Sequence, residues 1–208
     1  ILALHEIGSN NPDGIDVKKH LDEDGVPLDT KPFFPYDISH DIFALGVFLI
    51  IFCSVVFFFP TGGGYIIEYV NYEPANPLST PAHIVPSWYY TPFYAMLRAV
   101  DFPLFGLTAK FLGFATMMAA VAIFAVLPWL DRSPVKSIKY KGILSKSFLG
   151  IFVVSFFALC YLGMVPPTET KTLLSKIFTL GYFSYFLLMP IYTRIEKCKP
   201  VPERVAEA

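Results

Sequence analysis

Four runs of this sequence, residues 42–59, 111–130, 147–165 and 177–193, contain no Asp, Glu, Lys, Arg or His. A helix crosses a hydrocarbon core of about 30 Å with about 20 apolar residues, and a charge held midway is costly. Each run meets that requirement. Each is also bounded by signals expected where a helix leaves lipid: Asp41 and Pro60, Lys110 and Asp131, Lys146 and Pro166, Lys176 and Arg194. A buried core helix is the alternative for any single run. Four in one chain of 208 residues, 54% hydrophobic and 16% charged, point to lipid instead. The expected fold is all-α: an integral membrane bundle of four transmembrane helices.

Cations give the orientation, because short cytoplasmic loops collect Lys and Arg. The connection DRSPVKSIKYKG carries Arg132, Lys136, Lys139 and Lys141 against Asp131, and the tail after the fourth run carries Arg194, Lys197, Lys199 and Arg204. An even number of crossings separates the two, so both are expected on the cytoplasmic side. The connection PPTETK has one acid and one cation and suits the outer side. By parity, residues 60–110 lie outside and residues 1–40 inside. Residues 1–4, ILAL, are too short for a signal-peptide core and read as the last turn of a helix begun upstream, so the chain is expected to be a piece of a longer one.

Several function classes drop out. Cys53 and Cys160 fall inside runs and Cys198 in the tail, which indicates no disulfide framework. No phosphate-loop signature, HExxH or CxxC occurs, and the three glycines of PTGGGYIIEY lack a flanking strand and helix. Soluble nucleotide chemistry, a metal site within this chain and a nucleic-acid partner are not expected.

Polar residues with chemical potential cluster on two sides. On the inner side, LHEIGSNNPDG joins a helix end to a loop, with Gly8 as a candidate C-cap. His5 sits about one turn inside that end, where an ionisable group is by default a functional hypothesis. FFPYDISHD places His40 and Asp41 at the start of the first run, where Asp41 also suits a helix N-terminus. His5, Asn10, His40 and Asp41 are therefore candidates for one proton-exchanging pocket; capped helix ends are the alternative. The charged stretch DVKKHLDEDGVPLDTK, His20 included, reads as a solvated loop.

The outer segment, residues 60–110, is long for a structureless loop and is expected to be functional or internally folded. In it, HIVPSWYYTPFY sets five aromatic rings between and beside Pro86 and Pro92, followed by FYAMLRAVDFPLF, a short interfacial helix with Phe93, Met96 and Leu97 facing inward. An aromatic belt at the membrane interface explains the rings. It does not explain the prolines, since a belt needs no fixed backbone.

The segments LHEIGSNNPDG, NPLSTPAHIVPSWYYTPFYAMLRA and LPWLDRSPVKSIKYKG closely resemble the carboxy-terminal half of the cytochrome b family, in a form like that of proteobacteria. The resemblance covers essentially the whole chain. It implies the end of a haem-bearing helix and an inner loop over residues 1–40, then a carboxy-terminal domain over residues 41–208. It further implies a quinone-reducing site at His5, Ser9, Asn10, His40 and Asp41, with His40 standing where the family usually has Lys. A quinol-oxidising site is implied at Pro86, Ser87, Trp88, Tyr89 and Tyr94, the first four replacing the family's Pro-Glu-Trp-Tyr quartet. Catalytic roles fall to Ser87, Tyr89 and Tyr94.

Ser87 departs from the family's usual Glu, and a serine hydroxyl is not a base near neutral pH. Three readings stand: a natural variant with another proton route through Tyr89, Glu73, Glu68 or water, an engineered substitution, or an inactive relative. The family's two b-type haems need paired histidines on helices, and none of the four runs has one. The resemblance therefore implies the amino-terminal half of cytochrome b as a partner, with a Rieske iron-sulfur subunit, a cytochrome c-type subunit, a dimeric complex, quinone that is ubiquinone by type, membrane lipid, and a bacterial inner membrane rather than a mitochondrial one. Two other readings are a split carboxy-terminal subunit of photosynthetic type, which has three spans against four here, and a non-catalytic membrane scaffold.

Overall fold

The structure is a computed structural model that describes residues 1, 5, 11–64, 66–67, 69–80, 84–103 and 106–205. Its contacts divide the chain into residues 17–82 and a second unit formed by residues 1–16 with 83–208. No strand occurs among the described residues, and an isolated bridge pairs Leu21 with Pro27.

In the first unit the expected solvated loop closes on itself. The Asp22 carboxylate accepts from the backbone N–H of Asp24 at 3.1 Å and of Val26 at 2.7 Å, the turn chemistry that Asp favours. Helix α1, Ile38–Phe58, follows; it is apolar all round and none of its residues is buried within the unit. Asp41 lies in its first turn, where a negative charge meets the positive end of the helix dipole.

The second unit is a bundle. It contains α2, Thr91–Ala99, then α3, Ala109–Ala122, which passes through a 3-10 turn over Ile123–Val126 into α4, Leu127–Leu130. Helices α5, Ile143–Met164, α6, Glu169–Leu187, and α7, Met189–Ile195, complete it. The helix α1, the α3–α4 segment and α5 are each long and apolar enough to cross a membrane, and α6 and α7, bent by 54° to one another, are so only when taken together as one candidate span.

The fourth crossing differs from the expected single run over residues 177–193. It begins at Glu169, because the Thr168 hydroxyl accepts from the Lys171 N–H and starts the helix two turns before the apolar stretch. It breaks at Leu188, because Pro190 has no N–H to offer the α6 backbone and its ring crowds the preceding turn. The third crossing likewise starts at Ile143 rather than at residue 147. There the Glu196 carboxylate accepts from the Ser145 N–H at 3.1 Å and from its hydroxyl at 2.5 Å, and so caps the helix from the tail.

Buried Ala95, Met96, Ala120, Leu159, Tyr182 and Phe186 form the core. Tyr182 donates its hydroxyl proton to the Ala120 carbonyl at 2.9 Å, tying α6 to α3 where no water is at hand.

Candidate functional site

Helix α2 is the pivot of the outer segment. Its buried stripe is Pro92, Ala95, Met96 and Ala99, with Thr91 at its start. Met96 is buried and Phe93 packs half-buried against the core, both as expected, whereas Leu97 is half-buried and meets α3 through its backbone. The physical reason is close backbone approach. A Cβ on Gly163 of α5 would collide with the Thr91 carbonyl, and one on Gly113 of α3 with the Leu97 carbonyl. Small residues therefore face the seams, as in membrane helix packing generally. Arg98 locks the arrangement: its guanidinium donates to the Leu162 carbonyl at 2.6 Å and the Val165 carbonyl at 3.3 Å, capping the end of α5, and lies 4.7 Å from the centre of the Tyr94 ring.

One end of the bundle is thus defined by the start of α3, the end of α5 and the start of α6, all gathered around α2. The candidate outer residues sit on the turn that enters α2. The Ser87 carbonyl accepts from Tyr90 N–H at 2.8 Å, and the Trp88 carbonyl from the Thr91 hydroxyl at 2.6 Å. Trp88 stands edge-on to Tyr89 at 5.5 Å, and Tyr89 lies 4.6 Å from Tyr90. Ser87, Trp88 and Tyr89 are exposed, Pro86 and Tyr94 half-buried. Pro86, Ser87, Trp88, Tyr89 and Tyr94 therefore share one short segment with a fixed backbone. A rigid aromatic wall carrying hydroxyl groups suits a flat, apolar ligand with polar oxygens.

At the opposite end, residues 11–15 dock on the cationic connection. The Pro12 carbonyl accepts from the Ser137 hydroxyl at 2.6 Å, and the Asp13 carboxylate accepts from Lys139 Nζ at 2.8 Å and from the Tyr140 hydroxyl at 3.0 Å. These hydrogen bonds, led by Lys139, hold the Asp13 carboxyl below the usual carboxylate range, and the same contact raises Lys139. Gly14, at φ 72°, a conformation that favours glycine, lies close against the Lys136 side chain and the Ser137 backbone. Lys141 pairs with Asp131 nearby. The expected inner-site residues Ser9 and Asn10 lie outside the described residues, as do Gly8, Glu68 and His83. His5 is helical and exposed. In the other unit, the His40 Nδ1 lies 2.9 Å from the Tyr36 carbonyl, and Asp41 is exposed.

Sequence reasoning missed Arg98 and Asp13. Arg98 had a signal, as a cation one turn after Tyr94 among apolar residues; Asp13 had none, since its partners are distant in sequence.

The family described as "Cytochrome b(C-terminal)/b6/petD" matches residues 74–183, just over half of the chain. The chain is 56% identical to the cytochrome b of Allochromatium vinosum, over 99% of this chain and 50% of that protein. It is 43% identical to the cytochrome b of Rhodospirillum rubrum, over 98% of this chain and 46% of that protein. A solved structure titled "Hyperthermophilic respiratory Complex III" aligns with a TM-score of 0.79 at 34% identity, over 94% of this chain and 46% of that one. The chain spans about half the length of the curated relatives it matches. Fold, motif and similarity agree: the chain belongs to the cytochrome b carboxy-terminal family.

Proposed function

We propose that this chain is the quinone-binding, electron-transferring carboxy-terminal part of cytochrome b in a respiratory quinol:cytochrome c reductase, with residues 41–208 as its domain. One observation carries the reading. The Pro86–Tyr94 segment and the Pro12–Asp13 segment lie at opposite ends of one bundle, separated by the length of α5, about 33 Å for 22 residues. A quinone cycle that moves protons across a membrane needs one quinone pocket on each side. The outer site takes Pro86, Ser87, Trp88, Tyr89 and Tyr94; the inner takes His5, Ser9, Asn10, His40 and Asp41. The fourth charge-free run, residues 177–193, supports the respiratory type over a three-span split subunit.

At the outer site a quinol gives up two electrons and two protons. Trp88 and Tyr89 supply flat apolar area, and the Ser87 and Tyr89 hydroxyls are hydrogen-bond partners for the quinol oxygens. Ser87 orients but does not retain a proton, so proton exit passes to another group, with Tyr89, Glu73 and Glu68 as the candidates. The two b-type haems find no fit here. Holding them takes paired histidines within the crossings, and the one His in a crossing is His40, in the first turn of α1. The amino-terminal half of cytochrome b is their place in this reading. The remaining partners are a Rieske iron-sulfur subunit and a cytochrome c-type subunit in a dimeric complex of the bacterial inner membrane, with ubiquinone as the quinone.

The test is quinol-dependent reduction of cytochrome c by the complete complex containing this chain. Substituting Tyr89→Ala is expected to lower that activity at least about tenfold, in line with loss of a stacking and hydrogen-bonding wall. Unchanged activity in that variant, or no quinol dependence in the parent complex, refutes the reading.

A further inference from the structure

A recess with one apolar half and one half of mixed, charge-bearing lining opens on the side of the bundle where α2 meets α3 and α6. The apolar half is a groove of about 650 Å³. Ala115 and Ala119, one turn apart on α3, leave the space, and Leu180, Phe183 and Leu187 flank it from α6. Along α6 the lining runs from Lys176 to Leu187, about 16 Å at 1.5 Å per residue and so half of a hydrocarbon core of about 30 Å. Its depth is that of one leaflet. At the head of the groove lies a recess of mixed lining, about 520 Å³, where Asp101, Thr168, Glu169 and Thr172 stand beside Pro167 and Leu173, and Lys176 lines both. Lys176 Nζ is 2.7 Å from the Asp101 carboxylate, with the two side chains 34% and 51% exposed. One cation and one anion therefore stand side by side and open above an apolar slot one leaflet deep.

We propose that this recess binds one zwitterionic phospholipid of the ethanolamine type, with an acyl chain along α3 and α6, its phosphate on Lys176 and its ammonium on Asp101. The charge pattern selects this occupant. The headgroup's phosphate and ammonium lie antiparallel to the Lys176–Asp101 pair, so each charge gains a partner without breaking the existing one. An anionic headgroup brings its net charge against Asp101 and Glu169 together. A choline headgroup has no N–H to donate to Asp101, and a quinone brings no charge to either residue. The site lies apart from Ser87, Trp88 and Tyr89 and depends on the membrane-spanning fold, not on the quinone reading.

The experiment uses the complete complex in vesicles that contain a phosphatidylethanolamine carrying a diazirine midway along one acyl chain. After illumination, adducts are expected on α3 and α6 at Ala115, Ala119, Leu180 or Phe183. Unlabelled phosphatidylethanolamine is expected to compete about tenfold better than phosphatidylglycerol or phosphatidylcholine, the difference one charge-assisted hydrogen bond makes. Lys176→Gln and Asp101→Asn should each lower the labelling about tenfold on the same ground. Asp101 is exposed and outside the helices, so its variant keeps the question open to test if Lys176→Gln fails to assemble. Adducts spread evenly over the outer faces of α3, α5 and α6 overturn the proposal. So do equal competition by phosphatidylglycerol, displacement by an isoprenoid quinone alone, or a groove left unlabelled and cross-linked instead to another subunit's helix.

Discussion

At Ser87 the side chain is exposed, while its carbonyl carries the turn bond from Tyr90. Substitution there changes chemistry without removing a backbone contact. Ser87→Glu is expected to raise quinol oxidation by the complete complex about tenfold or more, since a positioned general base contributes about 10²–10⁴-fold. The base works only when ionised, so the variant should lose rate as pH falls through the carboxylate range, a limb the parent lacks. A pH profile identical to the parent's would sink the proton-exit role of this position. Asp13 offers a second residue-scale check. Its folded carboxyl lies below the ordinary value near 3.9, so its contribution is full above that value and fades as pH falls through the folded one. Lys139 is raised, so its share is full below about 10.4 and fades above it. Hydrogen-exchange protection of the Ile15 amide, bonded to Asn11 Oδ1 at 3.0 Å, should therefore be flat from about pH 5 to 9 and fall in Asp13→Asn at every pH in that window. Protection that changes across the window, or that the variant leaves intact, refutes the latch. The outer aromatic turn was legible as residues because its prolines and rings are adjacent in sequence. The Asp13 latch was not, because it joins residues more than a hundred positions apart.

Among the elements, the crossings announced themselves by charge-free length, but their ends did not. Thr168 and Glu196 start helices ahead of the apolar runs through hydrogen bonds that hydropathy does not register. On α2 hydropathy points to the large side chains, and Phe93 does pack on the core, but the tightest seams are made by the Thr91 and Leu97 carbonyls against glycines, which hydropathy does not register. That geometry makes a paired prediction on one helix. Gly163→Ala forces a methyl into the Thr91 carbonyl and is expected to destabilise the bundle by about 1–3 kcal/mol, the range for overpacking. Gly150→Ala, on the same α5, meets nothing within 4 Å and should be neutral or stabilising by up to about 1 kcal/mol through helix propensity. Thermal unfolding of the two variants in the same detergent checks both. Equal effects would show that the α2–α5 seam is looser than the backbone approach requires.

For the whole molecule, the sequence carried the two-sidedness in its cations, and the bundle agrees with the parity. The ends gathered around α2 are the near ends of α3, α5 and α6, while the cationic connection and tail meet at the far end, where Glu196 caps α5 and the Thr193 hydroxyl accepts from the Arg132 N–H at 3.2 Å. Thiol labelling turns that into a prediction of sidedness. Thr170 is exposed in the first turn of α6, and Lys136 is exposed in the cationic connection. With Cys198 replaced by Ser, Thr170→Cys should react with a membrane-impermeant maleimide added to intact cells whose outer membrane is opened. Lys136→Cys should react only after the inner membrane is permeabilised, and native Cys198 should behave like Lys136→Cys. The reverse pattern would invert the orientation and put the aromatic turn on the cytoplasmic side. Labelling of both positions from one side would mean that α5 does not cross, and with it would fall the separation that the proposed pair of quinone pockets requires.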